Sequence, residues 1–120
     1  MKDERVRVGL AGLVHPNMPG DDRGIYKKII GEMEKLSTEM RFDFFHIAEP
    51  LCDEKDGRRA RNFLDDNNID LTLLFNASLG FGRVALPLSK TTSYIGLWSV
   101  PEPSKSGVLQ LNSFCGLNMF

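Results

Sequence analysis

Two apolar runs decide the fold of this chain: Val6-Arg-Val-Gly-Leu-Ala-Gly-Leu-Val14 and Ile69-Asp-Leu-Thr-Leu-Leu-Phe75. Each run is apolar at nearly every position, as strands are when both faces of a parallel sheet are covered. A strand with one face in water would alternate between apolar and polar residues instead. The two runs therefore predict the inner strands of an α/β sheet.

Outside these runs the chain alternates between strand-like and helix-like segments. Phe42 to Ile47 predict a short strand, which Pro50 ends, and Tyr94 to Val100 predict a fourth strand. Between the first two strands apolar residues recur at intervals of three and four, which predicts one face of a helix: Ile25, Ile29, Met33, Leu36 and Met40. A second helix carries Ala60, Phe63 and Leu64, and a third carries Phe81, Val84, Ala85 and Leu88.

Local signals predict where the helices begin and end. Asp21 or Asp22 is expected to cap the first helix, and Asp53 the second, because a carboxylate accepts hydrogen bonds from the free amides of a first turn. Asn67-Asn68 suits a left-handed exit from the second helix. Pro87 is expected to kink the third helix or to lie near its first turn.

Strand, helix, strand, helix at this spacing implies right-handed crossovers and a parallel sheet. We therefore predict a three-layer, Rossmann-like or flavodoxin-like α/β domain over residues 1–120, with strand order 2-1-3-4. Further strands are expected if the domain continues. Polar residues are densest near the end of the chain, where a ligand site is expected, and the sequence stops before such a site could be complete. We therefore expect this chain to be the N-terminal domain of a longer, multi-domain protein.

The composition excludes several classes of protein. The 120 residues carry 15 basic and 16 acidic side chains, for a net charge of −1, so no positive surplus marks a nucleic-acid or membrane partner. Cys52 and Cys115 lie far apart, outside any metal-ligand spacing, and two cysteines are too few for a disulfide framework. No run has the length of a membrane span or the pattern of a signal peptide. These features favour a reduced, cytoplasmic protein.

The sequence lacks the cofactor motifs that α/β domains often carry. Gly9 and Gly12 lie inside the first predicted strand, so they do not form the glycine turn of a dinucleotide site. Asn76 stands where a response-regulator receiver needs an aspartate. His15 and His46 have no partner at metal-ligand spacing. We expect no catalytic residue, metal site or cofactor within this chain alone.

Polar and aromatic residues collect at the predicted carboxyl ends of the strands, where ligands bind in open α/β sheets. The loops there include Asn17, Asn76 and Trp98. Amides donate and accept hydrogen bonds, and an aromatic ring packs against the apolar side of a sugar. These residues predict a site for a neutral polar ligand. The alternative is structural, because asparagine forms turns and a lone tryptophan is often a core residue.

Several short stretches carry a family resemblance: Asn76-Ala-Ser with Gly80, Ala85-Leu-Pro-Leu88, and Leu97-Trp98-Ser-Val-Pro-Glu-Pro103 followed by Leu111-Asn-Ser-Phe-Cys-Gly-Leu-Asn118. In them the chain resembles the N-terminal domain of the L-fucose/L-arabinose isomerase superfamily, and most closely the fucose isomerase-like proteins. The resemblance covers Val6 to Phe120.

The resemblance implies a trimer or hexamer of three-domain subunits that interconverts aldoses and ketoses with a divalent metal, usually Mn²⁺. The metal ligands would lie in later domains, so this chain alone is expected to be inactive. In the family the first domain of one subunit covers the active site of a neighbour. Trp98 matches a tryptophan near the substrate, and Asn112 and Ser113 lie where polar side chains face the adjoining subunit. The implied partners are the remaining domains, further subunits and a sugar substrate.

Two other functions stay open at the level of the sequence. The chain could be a stand-alone α/β module that recognises or senses a sugar. It could also be an oligomerisation domain, in which Trp98 and the segment Leu109 to Phe120 form an interface.

Overall fold

Seven helices and strands and one 3-10 helix make up the described fold. The computed structural model describes residues 4–15, 24–78, 82–102 and 113. In chain order its elements are β1 (Arg7–Leu13), α1 (Ile25–Met40), β2 (Asp43–His46), α2 (Glu54–Asp66), β3 (Leu71–Asn76), α3 (Gly82–Ala85), the 3-10 helix Leu86–Lys90 and β4 (Tyr94–Trp98).

The four strands are parallel and lie in the order β2-β1-β3-β4. Leu10 of β1 aligns with His46 on one side and with Leu73 on the other, and Leu73 aligns in turn with Gly96 of β4. The α/β class and the predicted strand order are confirmed.

Helices cover both faces of the sheet. α2 and α3 pack on one face, over Ala11 and Leu74, and α1 packs on the other, over Leu10 and Phe75. Six of the seven residues of β1 are buried, because this strand has a helix on each face and a strand on each side. This double cover explains why the sequence of β1 is apolar rather than alternating.

The two glycines of β1 let the helices approach the sheet closely. A Cβ on Gly9 would lie 2.5 Å from Leu64 of α2, and a Cβ on Gly12 would lie 2.8 Å from the ring of Tyr26 on α1. Each glycine therefore makes room for one large side chain on one face. Both residues are part of the strand and form no turn, as the sequence predicts.

The helix ends agree with the sequence in part. Asp53 caps α2, because its carboxylate accepts from the Asp56 N–H at 2.7 Å, and Asn68 takes the left-handed conformation after the helix at φ 53°. α1 begins after Gly24, which has no side chain for capping, so the predicted aspartate cap is wrong in its position. Asp21 and Asp22 lie outside the described residues.

The third helical segment changes its geometry at the proline. α3 ends at Ala85 and the 3-10 helix begins at Leu86, with Pro87 in its first turn. This position fits the sequence, because the proline ring and its missing N–H oppose a continuing α-helix. None of the described helices is long and apolar enough to cross a membrane.

Candidate functional site

The carboxyl edge of the sheet brings the ends of β1 and β3 together at the point where the strand order reverses. β1 connects to β2 on one side, whereas β3 and β4 lie on the other. In open parallel sheets a crevice forms at such a point, and ligands bind there. Two bonds hold the strand ends together: the N–H groups of Ala77 and Ser78 donate to the Leu13 carbonyl at 3.0 and 3.3 Å.

A hydrogen-bonded network joins the ends of β3 and β4 through Ser113. The Val100 N–H donates to Ser113 Oγ at 3.1 Å, and Ser113 Oγ donates to the Asn76 carbonyl at 2.5 Å. In a second series of hydrogen bonds, Asn76 Nδ2 donates to Ser99 Oγ at 3.2 Å, and Ser99 Oγ donates to the Ser113 carbonyl at 3.1 Å. Backbone groups fix the direction of the bonds in both series, because a backbone N–H only donates and a carbonyl only accepts.

The loop after β1 is tied to the same edge. The His15 N–H donates to Ser78 Oγ at 3.0 Å, and Ser78 is fully buried. The side chains that tie the edge together are amides and hydroxyls, which carry no charge at neutral pH. Such groups suit a neutral ligand that presents hydroxyls.

Among the described residues, one atom of the network has no hydrogen-bond partner. Asn76 is fully buried, and among the described residues its Oδ1 accepts no hydrogen bond. Leaving a buried acceptor unsatisfied costs about 1–3 kcal/mol. Its Nδ2 already donates to Ser99, whose own proton goes to Ser113, so exchanging the two amide atoms would not remove the deficit. The geometry therefore provides a place for a hydrogen-bond donor from outside the described chain.

Trp98 lies at the same edge, on the face that α1 covers. Its ring meets Phe75 edge to face, with 5.4 Å between ring centroids and 73° between planes. Phe75 stacks in turn on Tyr26 at 6.3 Å. Trp98 is only partly buried, so the aromatic row holds one side of the ring while part of it stays accessible.

The five residues predicted to bind substrate have different places in the structure. Asn76, Trp98 and Ser113 come together at the carboxyl edge of β3 and β4. Asn76 and Ser113 are buried and are bonded to each other, whereas Trp98 is partly accessible. Asn17 and Asn112 lie outside the described residues.

Sequence reasoning missed Ser99, which links Asn76 to Ser113. The available signal was its position directly after an apolar strand and beside the one tryptophan. A small hydroxyl at a strand end fits either a turn or a network, so its partner decides its role. That partner is distant in sequence.

A second polar cluster lies at the start of α2. Cys52, Asp53 and Asp56 place their possible ligand atoms within 4.8 Å of one another. Each group has a structural role within the chain: Asp53 caps the helix, and Asp56 pairs with Arg59 and accepts from the Cys52 N–H at 3.2 Å. These bonds account for the cluster without a metal, and the expectation that this chain holds none stays a prediction.

The protonation states at this cluster follow from the same contacts. Burial alone would raise the pKa of Asp56, but hydrogen bonds from the Cys52 N–H and from Arg59 hold that pKa below its usual range. Partial burial, together with the adjacent Asp56 carboxylate, raises the pKa of the Cys52 thiol. At neutral pH Cys52 is therefore a thiol rather than a reactive thiolate.

Comparisons of this chain with protein-family models, with curated proteins and with solved structures find no match.

Proposed function

We propose that this chain is the substrate-facing domain of a metal-dependent aldose–ketose isomerase of the L-fucose/L-arabinose type. In this proposal the carboxyl edge of β3 and β4 covers a sugar that a neighbouring subunit holds. The observation that carries the proposal is the partly exposed ring of Trp98, which Phe75 holds at a strand end that the uncharged network of Asn76, Ser99 and Ser113 fixes.

A sugar or polyol suits this edge. Its C–H face is apolar enough to pack against the Trp98 ring, and its hydroxyls could bond to polar groups at the ends of the strands. Asn76 Oδ1 itself is buried, so Asn76 would act by holding the strand ends in place. Phe75 holds that ring against the core, so little side-chain freedom would be lost when a ligand binds. A charged ligand would gain less, because the network offers no opposite charge.

The chain's share of the reaction would be binding, orientation and exclusion of water. The resemblance assigns the Mn²⁺ ligands and the catalytic groups to other domains of the same cytoplasmic protein. This chain would then be inactive alone and would act within a trimer or hexamer.

A fluorescence titration tests the binding part of the proposal. Trp98 is the one tryptophan of the chain, so the intrinsic emission reports directly on this edge. We expect aldoses such as L-fucose and L-arabinose, or their alditols, to change that emission in a saturable way. Asn76→Ala is expected to weaken binding indirectly, because it removes the Asn76–Ser99 bond that helps to hold the strand end carrying Trp98.

Asn67→Ala is the matched control, since the Asn67 amide bonds to the Phe63 carbonyl at the far end of α2. Emission that no sugar changes would contradict the proposal.

The catalytic part is tested on the complete enzyme. Trp98→Phe and Trp98→Ala are expected to lower turnover per folded subunit while assembly stays intact. If turnover is unchanged and only the melting temperature falls, Trp98 is structural. Saturable sugar binding without metal-dependent turnover would favour the stand-alone sugar-binding module instead.

A further inference from the structure

The hydrogen bonds between β3 and β4 follow the regular alternation of a parallel ladder. The Tyr94 N–H donates to the Asp70 carbonyl at 3.0 Å, and the register is continuous through the five paired residues of β4. In such a ladder every second residue of one strand donates to every second carbonyl of the other. Counting in steps of two from the first bond therefore places the last rung between the Val100 N–H and the Asn76 carbonyl.

The hydroxyl of Ser113 occupies that last rung. The Val100 N–H donates to Ser113 Oγ at 3.1 Å, and Ser113 Oγ donates to the Asn76 carbonyl at 2.5 Å. The two groups that a regular ladder would bond to each other are thus joined through one oxygen atom. Two bonds in series hold the nitrogen and the carbonyl oxygen farther apart than one direct bond of about 2.9 Å would. β3 and β4 therefore separate at this end of the ladder.

On its other side β3 stays joined to its neighbour. The Ala77 N–H donates to the Leu13 carbonyl at 3.0 Å, so the pairing with β1 continues one residue beyond the end of β3. On the far side of β1, Leu51 forms a bridge with Leu13, and its N–H donates to the Gly12 carbonyl at 2.7 Å. The separation beside Asn76 is therefore a departure of β4 from β3 rather than a general fraying of the carboxyl edge.

The position between the two backbone groups requires a hydroxyl. The group there must accept from an N–H and donate to a carbonyl, and a hydroxyl does both through one oxygen atom. A carboxylate only accepts, an ammonium only donates, and a methyl group does neither. Ser113 is 1% exposed, and its own carbonyl accepts from Ser99 Oγ at 3.1 Å. Both the side chain and the backbone of Ser113 are therefore fixed against the strand ends.

We propose that Ser113 is a positioning residue that sets the separation of β3 and β4 at the carboxyl edge. Its hydroxyl keeps the Val100 N–H from the Asn76 carbonyl, so the chain beyond Trp98 turns away from β3. Without that hydroxyl the two backbone groups bond directly and β4 gains one rung. This closing replaces two hydrogen bonds by one, so it does not restore the stability that the hydroxyl provides.

The width of the edge beside Trp98 then depends on one side chain that is 37 residues away from Asn76 in the sequence. Because the hydroxyl is buried between the strands, Ser113 shapes this edge without contacting a ligand. The role does not depend on which ligand binds there.

NMR couplings across hydrogen bonds test the proposal on the isotopically labelled whole chain, with no ligand present. Such a coupling joins a donor nitrogen to a carbonyl carbon only where the N–H bonds directly to that carbonyl. In the wild type we expect a coupling from the Trp98 nitrogen to the Leu74 carbonyl carbon, and none from Val100 to Asn76. In Ser113→Ala we expect the Val100–Asn76 coupling to appear. Ser113→Thr keeps a hydroxyl and is the matched control, expected to leave that coupling absent.

Ser113→Gly repeats the measurement with no side chain in the position, so a methyl group that itself holds the strands apart does not hide the closing. A direct Val100–Asn76 coupling in the wild type would overturn the proposal, because the rung would already be closed. Folded Ala and Gly variants that both lack this coupling would overturn it as well, since something other than the hydroxyl would separate the strands. The wild-type measurement decides alone if neither variant folds. No sugar is present, so the outcome is independent of whether the edge binds one.

Discussion

At the scale of single residues, the small side chain of Ser113 links the ends of β3 and β4. Its hydroxyl accepts from the Val100 N–H and donates to the Asn76 carbonyl, and the residue is 1% exposed. No water can easily replace a partner at such a site. The end of β4, and with it Trp98, is positioned by this one hydroxyl.

Ser113→Ala is therefore expected to lower the free energy of unfolding by about 2 kcal/mol, because it removes the partner of the buried Asn76 carbonyl and of the partly buried Val100 N–H. Ser89→Ala is the control, since the Ser89 hydroxyl is exposed and bonds to the nearby Leu86 carbonyl. Urea denaturation of both variants gives the comparison. Equal stabilities would show that the network does not hold the edge.

The residue scale also shows what the sequence could not reveal. The apolar pattern identified Leu10 and Phe75 as core residues, because burial on both faces leaves a local signature. The role of Asn76 has no such signature, since its partners Ser99 and Ser113 are 23 and 37 residues away. Arg7 is a similar case: it lies in an apolar run and stacks over Phe45 at 4.5 Å. Such roles depend on neighbours that are distant in the sequence, so a short stretch of sequence does not reveal them.

At the scale of elements, the helices and strands were predictable and their exact ends less so. Strand order followed from the alternation of strands and helices, and Asp53 capped α2 as its position suggested. Gly24 begins α1 instead of an aspartate, because backbone geometry, rather than a side-chain cap, sets that end. Leu36 and Met40 continue the apolar face of α1 but remain exposed. The apolar pattern of the sequence therefore runs past the part of the helix that packs on the sheet.

Two helical glycines give opposite predictions for the same substitution. A Cβ on Gly57 of α2 would clash with the Val84 carbonyl of α3, whereas a Cβ on Gly31 of α1 would meet open space. Gly57→Ala is expected to lower the free energy of unfolding by about 1–3 kcal/mol through overpacking. Gly31→Ala is expected to raise it by about 0.5–1 kcal/mol through helix propensity.

Thermal or urea denaturation measures both variants. Stabilisation by Gly57→Ala would mean that α2 and α3 pack less closely than the structure shows. A neutral or destabilising Gly31→Ala would contradict the open space at α1.

At the scale of the whole molecule, two carboxylates link the fold to pH. The Thr91 hydroxyl donates to Asp65 at 2.7 Å and, together with Arg61, holds the pKa of Asp65 below its usual range. The pKa of Asp56 is lowered as well, by the Cys52 N–H and Arg59 acting against burial. The unfolded chain therefore takes up protons at these two sites at a higher pH than the folded chain does.

The stability that these carboxylates contribute is present above the ordinary aspartate pKa of about 3.9 and is lost as the pH falls through the folded values. Asp56→Asn is expected to flatten the dependence of the unfolding free energy on pH between about pH 5 and pH 2. Glu32→Gln, on the exposed side of α1, removes the same charge as a control. Identical pH profiles for the wild type and Asp56→Asn would contradict the lowered pKa.

The position of β1 between β2 and β3 has a consequence for the order in which the chain folds. β1 precedes the other strands in the chain, yet its second neighbour is β3, and the bond that joins Arg7 to Asp70 on that side spans 63 residues. Contacts of such separation form late and slow the folding of small domains. During translation, the apolar strand β1 therefore lacks its partner β3 on one side until the second half of the chain has left the ribosome. A pause in synthesis between α2 and β3 would lengthen that wait, when the nascent chain is most exposed to aggregation and to chaperones.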